Sequence, residues 1–307
     1  MKQSIFFLGL IFILSLEACQ KKATANAPTD KGLTYTKETV SYKQMTGINQ
    51  NLLNLDVYFD SEKLSPKPVI VWIHGGGWCI GDKANQMENK KQLFASLDYI
   101  LVSVNYRLSP FPYQINNQGR IKFPVHNVDI ADAIKWITDH ITTYGGDTNQ
   151  IVLLGHSAGA HLVALTGTNQ NFLQQAGVQI EHIKGIACID TRMYDVYDVI
   201  QNHNNPDDMY LNAFGTDPQD NIAASPIRQL NNHSYIPKFF VAKRGNYDRI
   251  IRANQFINAL QQAGAEVAEL EANIYTHSEI NDAIGAENET IITPALVSFI
   301  KNCLNND

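Results

Sequence analysis

The chain lacks what would mark it as a nucleic-acid or membrane-surface protein. Lysine and arginine number 24 against 30 aspartates and glutamates in 307 residues, a formal net charge of −6, and no segment gathers the basic residues into a stripe. That argues against nucleic acid or an anionic membrane as the main partner and fits a small, neutral or weakly polar one. Cysteine is scarce, with four residues (Cys19, Cys79, Cys188 and Cys303) and none of the paired spacings of a metal site. There is no internal repeat and no composition shift that would divide the chain into two domains. What is present, 44% hydrophobic and 18% charged residues, is ordinary globular composition, enough for one sizeable core.

The N-terminal apolar run, Ile5 to Leu14 behind Lys2, is too short to cross a bilayer and has the shape of a signal peptide. Its end, Leu16-Glu17-Ala18-Cys19, resembles the lipobox of bacterial lipoproteins, although Glu17 departs from the usual small residue. The resemblance implies a cleaved segment 1–18, a lipid on Cys19 and an exported protein anchored at a periplasmic or outer-membrane face; a secreted or periplasmic soluble protein is the alternative. Residues 19–33 are small and polar, without an apolar pattern, and read as a flexible tether to a domain over 34–307. With Cys19 so used, three cysteines remain, and buried free thiols are expected with at most one disulfide.

From Leu52 onward short β-branched runs alternate with helical periodicity, which predicts a mostly parallel sheet with helices on both faces. Strands are expected at Leu52–Tyr58, Val69–Ile73, Tyr99–Asn105, Ile151–Leu154, Ile183–Ile189, Phe239–Lys243 and Ala268–Tyr275. Helices are expected at Asn85–Leu97, Val125–Thr142, Ala158–Thr166, Ile251–Ala263 and Glu287–Asn302. Two segments break the alternation, Leu108–Phe123 and Thr191–Tyr235, both rich in Pro, Asn, Asp and Tyr; they read as cap or lid insertions over one sheet.

Two motifs carry chemistry. In IVLLGHSAGAHL a strand runs into Gly155-His156-Ser157-Ala158-Gly159 and then a helix, the strand–turn–helix setting of a nucleophile elbow presenting Ser157. Upstream, PVIVWI runs into His74-Gly75-Gly76-Gly77-Trp78, where three residues without Cβ leave backbone amides free to approach a phosphate or an oxyanion. With GDK at Gly81–Lys83, NYRLSP at Asn105–Pro110 and YGGD at Tyr144–Asp147, these motifs resemble the α/β-hydrolases. The narrower likeness is to serine esterases and lipases of the hormone-sensitive-lipase-like and kynurenine-formamidase-like kind.

The resemblance implies the chain order nucleophile, acid, base. It makes Ser157 the nucleophile, His277, the last histidine, the general base, and Asp248, after the strand Phe239–Lys243, the acid that orients it; Asp190 at the end of the preceding strand is the substitute acid. Amides of Gly75, Gly76, Gly77 and Ala158 would form the oxyanion hole. Trp78, His156 and Tyr194 are candidate pocket residues, although core packing suits Trp78 equally well. The expected function is hydrolysis of small or aryl esters through an acyl-enzyme, with no metal or organic cofactor and a small-molecule ester as partner. Arylformamide hydrolysis and a non-catalytic binding role on the same fold are the alternatives. The lipobox reading has its own test: Cys19→Ser should move the protein from the membrane to the soluble fraction, and unchanged fractionation would refute it.

Overall fold

Valine, isoleucine and leucine fill the runs that become strands, because side chains standing on both faces of a pleated strand can all be buried when helices cover both sides. The computed structural model describes residues 35–230 and 233–304, so the expected signal peptide, tether and Cys19 lie outside the described residues. Eight strands form one sheet: β1 (Thr36–Ser41), β2 (Asn54–Phe59), β3 (Lys67–Ile73), β4 (Ile100–Val104), β5 (Gly146–His156), β6 (Ile183–Ile189), β7 (Lys238–Lys243) and β8 (Val267–Glu271). Their order is β1-β2-β4-β3-β5-β6-β7-β8. β1 and β2 pair antiparallel, as do β2 and β4, and all remaining neighbours are parallel. β1 was not expected, since Thr36–Ser41 is a mostly exposed edge strand without an apolar run.

The helices are α1 (Glu88–Ser96), α2 (Val125–His140), α3 (Ala158–Thr168), α4 (Asn171–Ala176), α5 (Val196–Gln201), α6 (Asp208–Phe214), α7 (Pro218–Ala223), α8 (Tyr247–Gln262), α9 (Glu279–Ala283) and α10 (Ile292–Leu304). Successive strand residues alternate between two buried layers. Val69, Val71 and Ile73 face the layer closed by Ile130 and Ile134 of α2, Leu162 of α3 and Phe256 of α8. Ile70 and Trp72 face the layer closed by Phe94 of α1, Ile280 of α9 and Leu296 of α10. Period-2 strands and period-3.6 helices thus meet on both sides of the sheet. α10 starts later than the expected Glu287, because the Glu289 carboxylate accepts the free N–H groups of Ile291, Ile292 and Thr293 and fixes the helix start there.

The insertion 191–235 folds into the three short helices α5, α6 and α7, each capped by an aspartate, Asp195, Asp207 and Asp217. The other insertion packs on it: Arg120 donates to the carbonyls of Leu211 and Asn212, the Phe123 amide to Ala213, and the Asn212 side chain to the Pro110 carbonyl. Residues 108–123 therefore support the cap. Cys79, Cys188 and Cys303 are free thiols, the last two buried.

A charged side chain without a carboxylate in salt-bridge contact lies inside the second layer. Lys90 of α1 is fully covered, with its Nζ 4.6 Å from the Trp72 ring centroid and donating to the carbonyls of Gln86 at 3.1 Å and Asn281 at 2.8 Å. Burial lowers its pKa from 10.5 to about 7. Between those values the unfolded chain binds the extra proton, so folding is favoured progressively as pH rises through that window. Thermal unfolding of the wild type and Lys90→Met should therefore show the difference moving in the wild type's favour from about pH 7 to about pH 10. A difference independent of pH would refute this account of Lys90.

Candidate active site

β5 ends at His156 and α3 begins at Ala158, which leaves Ser157 alone in the turn between strand and helix. Its backbone, φ 55° and ψ −117°, lies where side-chain-bearing residues rarely sit. Two glycines make the turn possible by close approach. A Cβ on Gly155 would stand 2.3 Å from the Gly159 carbonyl oxygen, and one on Gly159 would stand 2.1 Å from that of Ile73. The Ser157 amide donates to the Ile189 carbonyl at 2.9 Å, fastening the elbow to the end of β6.

Ser157 Oγ lies 2.9 Å from His277 Nε2, and His277 Nδ1 lies 2.6 Å from Oδ2 of Asp190. With the Nδ1 proton held by the carboxylate, Nε2 is left to accept from the serine hydroxyl. Asp190, the residue after β6, is itself at φ 50° and almost fully buried. Burial alone would raise its pKa, but the hydrogen bond from His277 and the guanidinium groups of Arg249 and Arg244 outweigh it, bringing the carboxyl down to about 2. It is ionised at any ordinary working pH.

Asp248, expected as the acid, is not in this chain of contacts. It sits in the first turn of α8, with Oδ2 2.8 Å from Arg192 and Oδ1 2.9 Å from Arg252. The reason lies in the strand order: β6 is the immediate neighbour of β5, so Asp190 emerges beside the elbow, whereas Asp248 follows a strand one place further away.

The glycine loop lies across from the serine, and Gly75, Gly76, Gly77, Ala158, Ser157 and His277 line one cavity of about 530 Å³. Gly76 requires a missing side chain, with φ 110° and a Cβ position only 2.1 Å from the Ile80 carbonyl oxygen. Among the described residues the amides of Gly76, Gly77 and Ala158 have no protein acceptor. His74 braces this loop by donating from Nδ1 to the Gly75 carbonyl at 2.7 Å while stacking on Tyr106, whose hydroxyl donates to the His74 carbonyl. The NYR segment braces it further, since Asn105 bonds the Lys83 amide and the Asp82 carboxylate, and Arg107 pairs with Asp129 through two hydrogen bonds.

Of the three candidate pocket residues, Trp78 lines the cavity yet is buried edge-on against Phe214 and His161. His156 also lines it, but its Nε2 donates to the His277 carbonyl at 2.8 Å and its ring lies 4.6 Å from the His277 ring. Burial, reinforced by His277, lowers its pKa to about 3, so it is neutral. Tyr194 is not in the pocket: it is fully buried and stacked on Phe256 at 4.3 Å. Cavity walls that the sequence did not single out are Arg192, Met193, Met209 and Arg249 on one side and Gln86 and Asn281 on the other. Only the assignment of segment 191–235 to a cap pointed toward Arg192, Met193 and Met209, and nothing in the sequence pointed toward Arg249. His156, Asp190 and His277 could bring three ligand atoms within 4.8 Å, but two guanidinium groups on Asp190 oppose a cation there and favour proton transfer as the cluster's chemistry.

The BD-FAE family model matches residues 55–263. The chain is 31% identical over 269 residues to esterase LipQ of Mycobacterium tuberculosis, covering 81% of this chain and 59% of that protein. It is 29% identical to the probable carboxylic ester hydrolase LipM of the same organism, covering 67% and 48%. The chain thus spans about half the length of these relatives. Among solved structures, esterase B of Lactobacillus rhamnosis inhibited by a tributyrin phosphonate superposes with a TM-score of 0.69 at 17% identity, covering 88% of this chain and 86% of that one. A truncated carbohydrate esterase from gut microbiota superposes with the same TM-score and identity, covering 88% and 97%. At such identities the likeness concerns the fold.

Proposed function

The chain belongs to the BD-FAE family and has the α/β-hydrolase fold, and from that premise we propose that it is a serine hydrolase cleaving small or aryl carboxylic esters through an acyl-enzyme. The observation that carries this reading is the continuous contact Ser157–His277–Asp190, opening into the same cavity as the unpaired glycine-loop amides. Ser157 Oγ attacks the ester carbonyl as Nε2 of His277 takes its proton; Asp190 holds the Nδ1 proton and stabilises the imidazolium. The oxyanion is met by amides of the glycine loop and Ala158, each worth about 3 kcal/mol of barrier. His277 then protonates the leaving alcohol, and water repeats the sequence on the acyl-enzyme.

Asp190 takes the acid's role because its carboxylate is in contact with Nδ1 and can fix the tautomer, whereas Asp248, also held by two arginines, has no contact with His277. An exported location with a lipid on Cys19 is part of the same proposal and rests on the N-terminal sequence alone. The test uses the full chain on a chain-length series of aryl esters together with N-formylkynurenine. Short aryl esters should be hydrolysed, and Ser157→Ala should abolish this. No turnover of any ester and no labelling by a fluorophosphonate would refute the hydrolase reading, and dominant formamide turnover would replace ester with formamide. Asp190→Asn should lower kcat by about 10⁴-fold and Asp248→Asn by far less; the reverse order would restore Asp248 as the acid.

A further inference from the structure

The cavity of this acidic chain carries a positively charged wall. Of the charged side chains lining it, two are arginines, Arg192 and Arg249, and one is an aspartate, Asp190. Behind them, Asp190 is shared between Arg244 and Arg249, Asp248 between Arg192 and Arg252, and Asp198 pairs with Arg252. Four guanidinium groups are thus set against three carboxylates, although the whole chain has a net charge of −6. Asp207 and Asp208 at the start of the cap helix α6 are exposed, and Asp207 is engaged with the Met209 amide of its own helix.

Arg249 is committed, donating to Asp190 and to the Arg244 carbonyl. Arg192 is not. Its one acidic partner is Asp248, its Nε is buried without an acceptor, and its guanidinium lies 5.8 Å from the Tyr210 ring centroid. A guanidinium carries five N–H donors, so most of this one's capacity is unspent. Next to it, Met193, Met209 and Tyr210 form an apolar stretch of wall. That stretch reaches the glycine loop, since a Cβ on Gly77 would stand 2.4 Å from Met209 Sδ. A molecule filling this part of the cavity would therefore meet hydrocarbon close to the glycine-loop amides and, beyond it, a guanidinium with unused donors.

We propose that Arg192, held in the cavity wall by Asp248, selects esters that carry a carboxylate on the acyl or the alcohol part, separated from the scissile carbonyl by a short apolar spacer. The inference rests on the ester-hydrolase reading above and adds its substrate class. A carboxylate at Arg192 would accept from the terminal Nη groups of this part-exposed side chain, a charge-assisted pairing that suits arginine and carboxylate. The acid expected in the triad thereby has a role as a positioning residue for Arg192.

The experiment uses the full chain and two substrate pairs, each an anion with its neutral carboxamide: 4-acetoxybenzoate with 4-acetoxybenzamide, and the 4-nitrophenyl monoester of adipate with that of its monoamide. In at least one pair the anion should be favoured in kcat/KM by about tenfold, chiefly through KM, and the preference should fall with added salt. Arg192→Gln should bring the ratio in that pair close to one, and Arg192→Lys should retain part of it. In the wild type, adipate itself should inhibit turnover of the neutral ester competitively, an effect read without any variant. Equal rates within both pairs, or a preference that survives in Arg192→Gln, would overturn the proposal while leaving ester hydrolysis standing. A chain that hydrolyses no member of either pair would instead overturn the hydrolase reading beneath it.

Discussion

The site depends on one backbone hydrogen bond, from the Ser157 amide to the Ile189 carbonyl. It joins the elbow after β5 to the last residue of β6, and the next residue along that strand is Asp190. Ser157 and Asp190 are thereby referred to one another through the sheet itself, and His277 bridges them. His277 comes from a turn after β8, so it needs outside support, which His156 supplies by holding its carbonyl and lying against its ring. Neutral, buried His156 can do this without competing for the proton that His277 must carry.

What could be read from the sequence follows the range of the interactions involved. Strands β2 to β7 and the main helices were legible because burial writes itself into local composition and periodicity; β8, a largely exposed edge strand, was legible without it. The polar edge strand β1 and the short cap helices carry no such signature, and α9 is a five-residue turn after His277. Ser157 was legible because its demands are local: a strand, a turn, two glycines and a helix. The acid was not. Asp190 and Asp248 both follow strands, and choosing between them requires strand order and the placement of four arginines, none of which spacing encodes. Tyr194 was misread for a similar reason, as its neighbour Phe256 comes from a helix sixty residues on.

The cap divides its work between two insertions. Residues 191–235 supply cavity walls, while residues 108–123 supply the hydrogen bonds that keep α6 in place. Cavity wall and structural support thus reside in different stretches of chain, and a wall residue such as Met209 or Tyr210 can change without removing the bonds that seat its helix.

Gly159 adds something different in kind from these attractions. Its absent side chain would have stood 2.1 Å from the carbonyl oxygen of Ile73, the last residue of β3 before the glycine loop. The helix that begins behind the serine and the strand that leads into the glycine loop are consequently closer than any side chain at position 159 would permit. The placement of Ser157 relative to the glycine-loop amides is thus set by contact between backbones, which no change of side-chain rotamer can relax.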